Sequence, residues 1–280
     1  MTKSNLVIPI VTYHSVDGSG SVISTDAGTL ARQMEHLALA GYRSVSLQEA
    51  AGLLSGAQPP QSPMIALTFD DGFSSVCDVA LPILRDFGFT ATVFLVTDSL
   101  GAGSPWLGAG ERIARFRVMN AREVERLLAA GWQIGGHSAT HRILTDLPDD
   151  QLNRELDRCL SALHSLSGQS GFWLAYPYGA FDGRVRDSVR QRFAGACSTL
   201  LGFASPHSDL FALERIDMYY LKRPVVYRSL GSRRFAAYLA FRRLLRHLRA
   251  RAKIISHFAV GSQACRQGAQ DATVQWKTKK

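Results

Sequence analysis

At 280 residues with 46% apolar composition, the chain is long enough to bury a full core and reads as one large domain with an appendage. Its net charge of +9 is uneven, since residues 1–217 hold 17 Lys and Arg against 22 Asp and Glu, whereas residues 218–280 hold 15 against 1. This excludes a basic-surface function for the body of the chain, and with no recognition motif beside the basic tail no nucleic acid is expected as partner. The four cysteines, Cys77, Cys159, Cys197 and Cys265, form no CxxC pair, so they are expected to be free in a reducing compartment, with no thiolate metal site. The apolar start, Leu6–Val11, is broken by Pro9 and too short for a secretory signal, and no stretch reaches the roughly 18 apolar residues of a membrane span. The expected place is the cytoplasm.

Taken in chain order, Val7–Tyr13 is the first strand and is followed by His14. A helix through His36–Ala40 stops at Gly41 and Tyr42, and the same signature returns where Leu81–Phe87 meets Gly88 and where Glu123–Ala130 meets Gly131. Glycine takes the left-handed conformation past a helix end without strain, so each instance predicts a helix stop leading into a strand. The later strands are Met64–Phe69, Thr92–Val96, the short Trp132–Ile134 and Phe172–Tyr176. Ser75–Phe87 reads as a helix, Asn120 with Glu123 as a capping box, Pro148 as a residue of a first turn, and Asp182 as the opening of a helix reaching Phe193. Gly56–Pro63 and Gly101–Gly110 read as loops. Such alternation predicts a parallel α/β sheet or barrel, whose reactive groups collect at the carboxyl ends of the strands. His14, Asp70 with Asp71, His137 and Tyr176–Gly179 all fall at such ends.

Residues 1–228 are expected to form this body and 229–280 a basic amphipathic helix and tail. Arg242, Arg243, Arg246, Arg249 and Lys253 fall on one arc, with Tyr238, Phe241, Leu244, Leu245 and Leu248 on the other. Two readings stand at equal weight: contact with an anionic membrane through residues 233–253, or a helix packed on the body with a solvated basic face.

Asp70 and Asp71 follow an apolar run and precede Gly72, so one can ligate a metal while the other takes a proton. The rival reading, a hairpin turn, is weakened by the helical pattern that follows. His137 and His141 have the spacing of one side of a helical turn, and with one aspartate they give two nitrogens and an oxygen, a set common in catalytic zinc sites.

Thr68-Phe69-Asp70-Asp71-Gly72 and His137-Ser138-Ala139-Thr140-His141, roughly 65 residues apart, resemble the first two motifs of the polysaccharide deacetylases, the NodB-homology group of carbohydrate esterase family four. The resemblance spans about residues 5–220 and includes Tyr176-Pro177-Tyr178-Gly179, similar to the family's groove motif. It implies a deformed (β/α)7 barrel, a divalent metal held by Asp71, His137 and His141, Asp70 as the catalytic base, and the Tyr178 amide in the oxyanion hole. Zinc is the expected metal, with cobalt and nickel as the other candidates.

Two departures bear on the site. Where many members carry an arginine before the groove motif, this chain has Ala175; Arg215 is the candidate to orient Asp70 instead, its rival role being a surface ion pair with Glu214 or Asp217. The late histidine that supplies the general acid is not evident. Thr12-Tyr13-His14-Ser15 resembles the start of members with permuted motif order, which makes His14 the preferred acid and His207 the rival. His36, His164 and His257 read as packing or surface residues.

The implied reaction is hydrolysis of an N-acyl, foremost acetyl, group on an amino sugar. The basic tail points to a sugar carried on a polyprenyl phosphate or glycolipid at the inner membrane face during envelope polysaccharide assembly. The alternatives are a soluble amino sugar as substrate and, from another class, a non-catalytic glycan-binding barrel.

Overall fold

Short apolar runs, each stopped by a turn, supply the strands. The computed structural model describes residues 6–56, 60–107, 116–246 and 248. In chain order the strands are β1 (Ile10–Tyr13), β2 (Ser15–Val16), β3 (Ser24–Thr25), β4 (Arg43–Ser44), β5 (Met64–Phe69), β6 (Thr92–Leu95), β7 (Gln133–Gly136), β8 (Trp173–Ala175), β9 (Gly195–Leu201) and β10 (Leu213–Asp217). The helices are α1 (Ala27–Leu39), α2 (Leu47–Leu54), α3 (Leu81–Asp86), α4 (Ala121–Ala129), α5 (Asp149–Ser167), α6 (Gly183–Arg190) and α7 (Pro224–Tyr227).

Seven strands, in the order β1-β10-β9-β8-β7-β6-β5, pair in parallel, and the pairing of β1 with β5 closes the ring. This is the expected barrel. It is irregular in two ways: β4 adds to the start of β5, and β9 reaches β10 through a loop instead of a helix. β1, β5, β6 and β8 are buried at every position, as parallel strands covered on both faces must be.

The helices present one apolar stripe to the sheet. In α5 the buried residues Leu152, Leu156, Cys159 and Leu163 recur every three or four positions. The capping box forms, with Asn120 Oδ1 accepting from the Glu123 amide at 3.1 Å and Glu123 Oε2 from the Asn120 amide at 2.8 Å. Gly41, Gly88 and Gly131 end their helices with positive φ. Three boundaries differ from expectation. The segment after Ser75 opens as a π-type turn, Val76–Ala80, before α3, because Pro82 has no N–H for the Asp78 carbonyl and its ring crowds that group. Pro148 caps α5 from outside, and α6 stops at Arg190. Cys77, Cys159 and Cys197 are free and buried, and Cys265 lies outside the described residues.

The chain divides into two units, Met1–Leu230 and Gly231–Lys280. In the second, residues 233–246 and 248 are helical, with Phe241, Leu244 and Leu248 each more than half exposed. Tyr238, expected opposite the arginines, instead lies under the Arg242 guanidinium, 5.9 Å from the ring centre, because residues four apart share a helix side. Arg249 and Lys253 lie outside the described residues. Among the described residues no helix is long and apolar enough to cross a membrane.

Packing inside the ring is close at β7. A Cβ at Gly135 would lie 2.7 Å from the Phe94 ring and 2.7 Å from the Trp173 carbonyl oxygen. Gly135→Ala should therefore lower stability by about 1–3 kcal/mol, the usual range for overpacking. Urea unfolding of the variant against wild type measures it, and an unchanged midpoint would contradict this account of the packing.

Candidate metal centre and active site

The site is built on the turns that leave the carboxyl ends of β5 and β7. The Asp70 amide donates to the Tyr13 carbonyl at 3.0 Å, extending the pairing of β5 with β1 by one residue. The chain then enters the left-handed region at Asp71 (φ 69°) and Gly72 (φ 67°). A Cβ at Gly72 would meet Leu95 Cδ2 at 2.8 Å, so only glycine lets the turn lie this close to the end of β6. Holding an aspartate at positive φ costs about 1–2 kcal/mol, and here it leaves two consecutive carboxylates, Asp70 and Asp71, both 4% exposed.

After β7 the His137 amide donates to the Leu95 carbonyl at 2.8 Å, and the chain again turns left-handed at Ser138 (φ 61°) and His141 (φ 61°). The expected helical turn is therefore not formed, since these angles are foreign to a right-handed helix. The two histidines meet across a loop instead. That loop is fixed by the His141 amide donating to Ser138 Oγ at 2.9 Å, and by the Thr140 amide and hydroxyl donating to Glu155 Oε1 on α5 at 2.6 and 2.8 Å. His137 Nε2 and His141 Nε2 lie 3.6 and 3.3 Å from Asp71 Oδ1.

Asp71, His137 and His141 can each offer one ligand atom, all within 4.8 Å of one another, and all three residues are buried. His137 Nδ1 lies 2.8 Å from the Ala175 carbonyl oxygen, which fixes the tautomer that donates there and leaves Nε2 its lone pair. Burial, and then the neighbouring His141, push the His137 imidazole down to about 4, so it is neutral near pH 7, the form that ligates. Two imidazole nitrogens and one carboxylate oxygen fit a divalent cation of the zinc type. The His141 ring stands between Trp106 and Tyr178, at 5.0 and 4.6 Å between centres, and its buried Nδ1 has no hydrogen-bond partner among the described residues.

Arg215, on β10, is 3% exposed and is not part of a surface ion pair. Its Nη1 and Nη2 donate to Asp70 Oδ1 and Oδ2 at 2.8 Å each, while Nε donates to the Ser198 carbonyl at 2.9 Å. Burial alone would raise the Asp70 carboxyl, but the Arg215 charge, the neighbouring His137 and these two hydrogen bonds override it and hold Asp70 well below the usual carboxylate range. Ala175, at the position of the missing arginine, supplies its carbonyl to His137 instead.

His14 follows β1, half-buried, and because Tyr13 pairs with Phe69 across β1 and β5 it leaves the rim beside Asp70. Tyr178 has a left-handed backbone (φ 57°), is 57% exposed as a residue, and sets its ring beside His141. His207 is exposed in the loop between β9 and β10, whose Ala204 bridges Ile8 ahead of β1; that places it toward the amino ends of the strands, away from the other groups. His36 packs on Tyr227 and His164 on Phe172, at 5.9 and 5.1 Å, while His257 lies outside the described residues. Sequence reasoning missed Trp106, Glu155 and Ser198. The first sits in a glycine-bearing loop that periodicity does not address, and the other two act over 15 and 17 residues of separation.

Removing one partner of a buried pair strands the other's charge, at about 3–5 kcal/mol. Arg215→Met should lose stability on that scale, and adding Asp70→Asn should recover part of the loss, as urea unfolding of the single and double variants measures. Equal losses in both would contradict the coupling.

Residues 57–192 match the polysaccharide deacetylase family. YxkH of Bacillus subtilis (strain 168), whose name places it among polysaccharide deacetylases, is 23% identical over 216 residues, 77% of this chain and 72% of that one. The peptidoglycan-N-acetylglucosamine deacetylase PgdA of Listeria monocytogenes is 29% identical over 126 residues, 45% of this chain and 23% of its own. Among solved structures, the Streptococcus pyogenes deacetylase PplD in complex with acetate superposes with a TM-score of 0.67 at 22% identity, covering 76% of this chain and 93% of that one. IcaB from Ammonifex degensii gives 0.67 at 21% identity over 83% and 97%. Over residues 57–192 the chain is thus similar to the polysaccharide deacetylase family, and its ring of strands is shared with solved deacetylases.

Proposed function

We propose that the chain is a polysaccharide deacetylase, a metal-dependent hydrolase that removes an N-acyl group, foremost acetyl, from an amino sugar. The observation that carries this reading is the convergence of Asp71, His137 and His141 beside a separate carboxylate, Asp70, gripped by Arg215. A divalent cation held by the first three lowers the pKa of water towards about 7 and polarises an amide carbonyl.

Asp70 takes the proton of the attacking water. Arg215 occupies one lone pair on each of its oxygens, which fixes the carboxylate plane and leaves the second lone pairs to accept. Arg215 is thus a positioning residue. The Tyr178 amide binds the developing oxyanion. His14 protonates the departing nitrogen as the C–N bond breaks, so water ends as a carboxylic acid hydroxyl and the sugar keeps a free amine. A glycan-binding barrel would need the metal ligands but not a buried, oriented base, and the Asp70–Arg215 pair favours catalysis.

The finer substrate reading is an amino sugar carried on a lipid at the inner membrane face, in envelope polysaccharide or glycolipid assembly; a soluble amino sugar is the alternative. Its support is the helix at 233–246, where exposed Phe241 and Leu244 are interleaved with Arg242, Arg243 and Arg246, a pattern suited to an anionic interface.

Acetate release from N-acetylated saccharides is expected to stop on chelation and return with added zinc or cobalt. Asp70→Asn should slow turnover by about 100-fold or more while calorimetry shows the metal still bound. Retention of glycan with no acetate released under any metal would contradict the hydrolase reading. In flotation with anionic liposomes the intact chain should rise and a Phe241→Asp, Leu244→Asp, Leu248→Asp variant should remain at the bottom; equal behaviour would end the membrane reading.

A further inference from the structure

The two histidines of the candidate metal centre are held in different ways. His137 leaves β7 in register, with its amide on the Leu95 carbonyl, and its Nδ1 lies 2.8 Å from the Ala175 carbonyl oxygen, so backbone and ring are both fixed. His141 has no such bond to its ring. Its buried Nδ1 has no hydrogen-bond partner among the described residues, and the rings of Trp106 and Tyr178 beside it bond neither nitrogen. The aim of its Nε2 at Asp71 Oδ1, 3.3 Å away, therefore depends on the backbone that carries it.

That backbone is in the left-handed region at Ser138 and again at His141, a conformation that persists in such residues only where the surroundings over-determine it. The loop is held residue by residue. The Ser138 and Ala139 carbonyls accept from the amides of Thr97 and Asp98, just past β6, at 3.3 and 2.9 Å, and the His141 amide donates to Ser138 Oγ at 2.9 Å. Thr140, the residue before the ligand, is held from the opposite side by α5. Its amide and its hydroxyl both donate to Glu155 Oε1, at 2.6 and 2.8 Å.

Glu155 is out of place by the logic of its own helix. It is 6% exposed and lies on the buried side of α5 among Leu152, Leu156 and Cys159, where packing calls for an apolar side chain. Among the described residues no cation forms an ion pair with it, and a carboxylate buried in this way is destabilising unless hydrogen bonds answer it. Both bonds that do so come from Thr140, so the acid is explained by the histidine loop and not by the helix.

From this we infer that Glu155 is a positioning residue of the metal centre: by fixing Thr140 it turns His141 toward Asp71 before any cation arrives, and so sets the affinity of the site for divalent metal. The inference rests on the proposed reading that Asp71, His137 and His141 hold such a cation. Glu155 itself is not a ligand and acts only through the loop.

The test is zinc titration of the metal-free full chain by calorimetry, with Glu155→Met, Glu155→Gln and Thr140→Val beside wild type, and urea unfolding of each. Glu155→Met should bind zinc about tenfold more weakly or worse, the lower end for loss of a group that supports a ligand. Thr140→Val, which loses the hydroxyl bond and keeps the amide bond, should bind about threefold more weakly. Glu155→Gln keeps the accepting Oε1 and should stay within about threefold of wild type. A contact that only stabilised the fold would lower the urea midpoint and leave the zinc affinity of the folded chain unchanged. Wild-type affinity in Glu155→Met, or in Thr140→Val should the first variant not fold, overturns the inference while the metal centre stands. Glu155→Gln as weak as Glu155→Met would assign the effect to charge and overturn the positioning role. Wild type that takes up no ion removes the metal centre, and the inference with it.

Discussion

Two consecutive carboxylates buried at the mouth of the barrel, each 4% exposed, are a concentration of like charge that this site must neutralise. For Asp70 the neutralisation is covalently part of the chain: Arg215 reaches it from β10 with two 2.8 Å hydrogen bonds. Asp71 has no such partner among the described residues. Beside it stand His137 and His141, and burial holds His137 neutral near pH 7, so it brings a lone pair and no charge. A cation answers both needs at once, since it neutralises Asp71 and takes the imidazole lone pairs.

The ring turns sequence distance into proximity. Parallel strands all end at one rim, so residues as far apart as Asp70 and Arg215 meet because β5 and β10 both flank β1. Supporting contacts come from the same arrangement, with β8 giving the Ala175 carbonyl to His137, β9 the Ser198 carbonyl to Arg215, and α5 the Glu155 carboxylate to the histidine loop. Asp70, Arg215, His137 and the histidine loop are thereby each held by an element other than their own.

Much of this was legible before any coordinates. The glycine-ended helices and the apolar runs between them carry the ring, because both signals are local. Asp70-Asp71-Gly72 and His137 with His141 carried the metal cluster through motif resemblance. The helical geometry first expected for the histidines did not form, because Ser138 and His141 sit at positive φ, which spacing cannot reveal. Arg215 stayed open between two roles in the sequence, as Glu214 and Asp217 are nearer along the chain; burial on β10 decides for Asp70. Trp106, Glu155 and Ser198 were invisible, since the contacts of each are set by tertiary packing.

The measurement that tests the central claim most directly is zinc titration of the metal-free chain by calorimetry, with Asp71→Asn and His137→Ala beside wild type. Wild type should take up one ion per chain, and each variant should bind it at least tenfold more weakly. Wild type that binds no ion, or variants that bind it as tightly as wild type, would contradict the account.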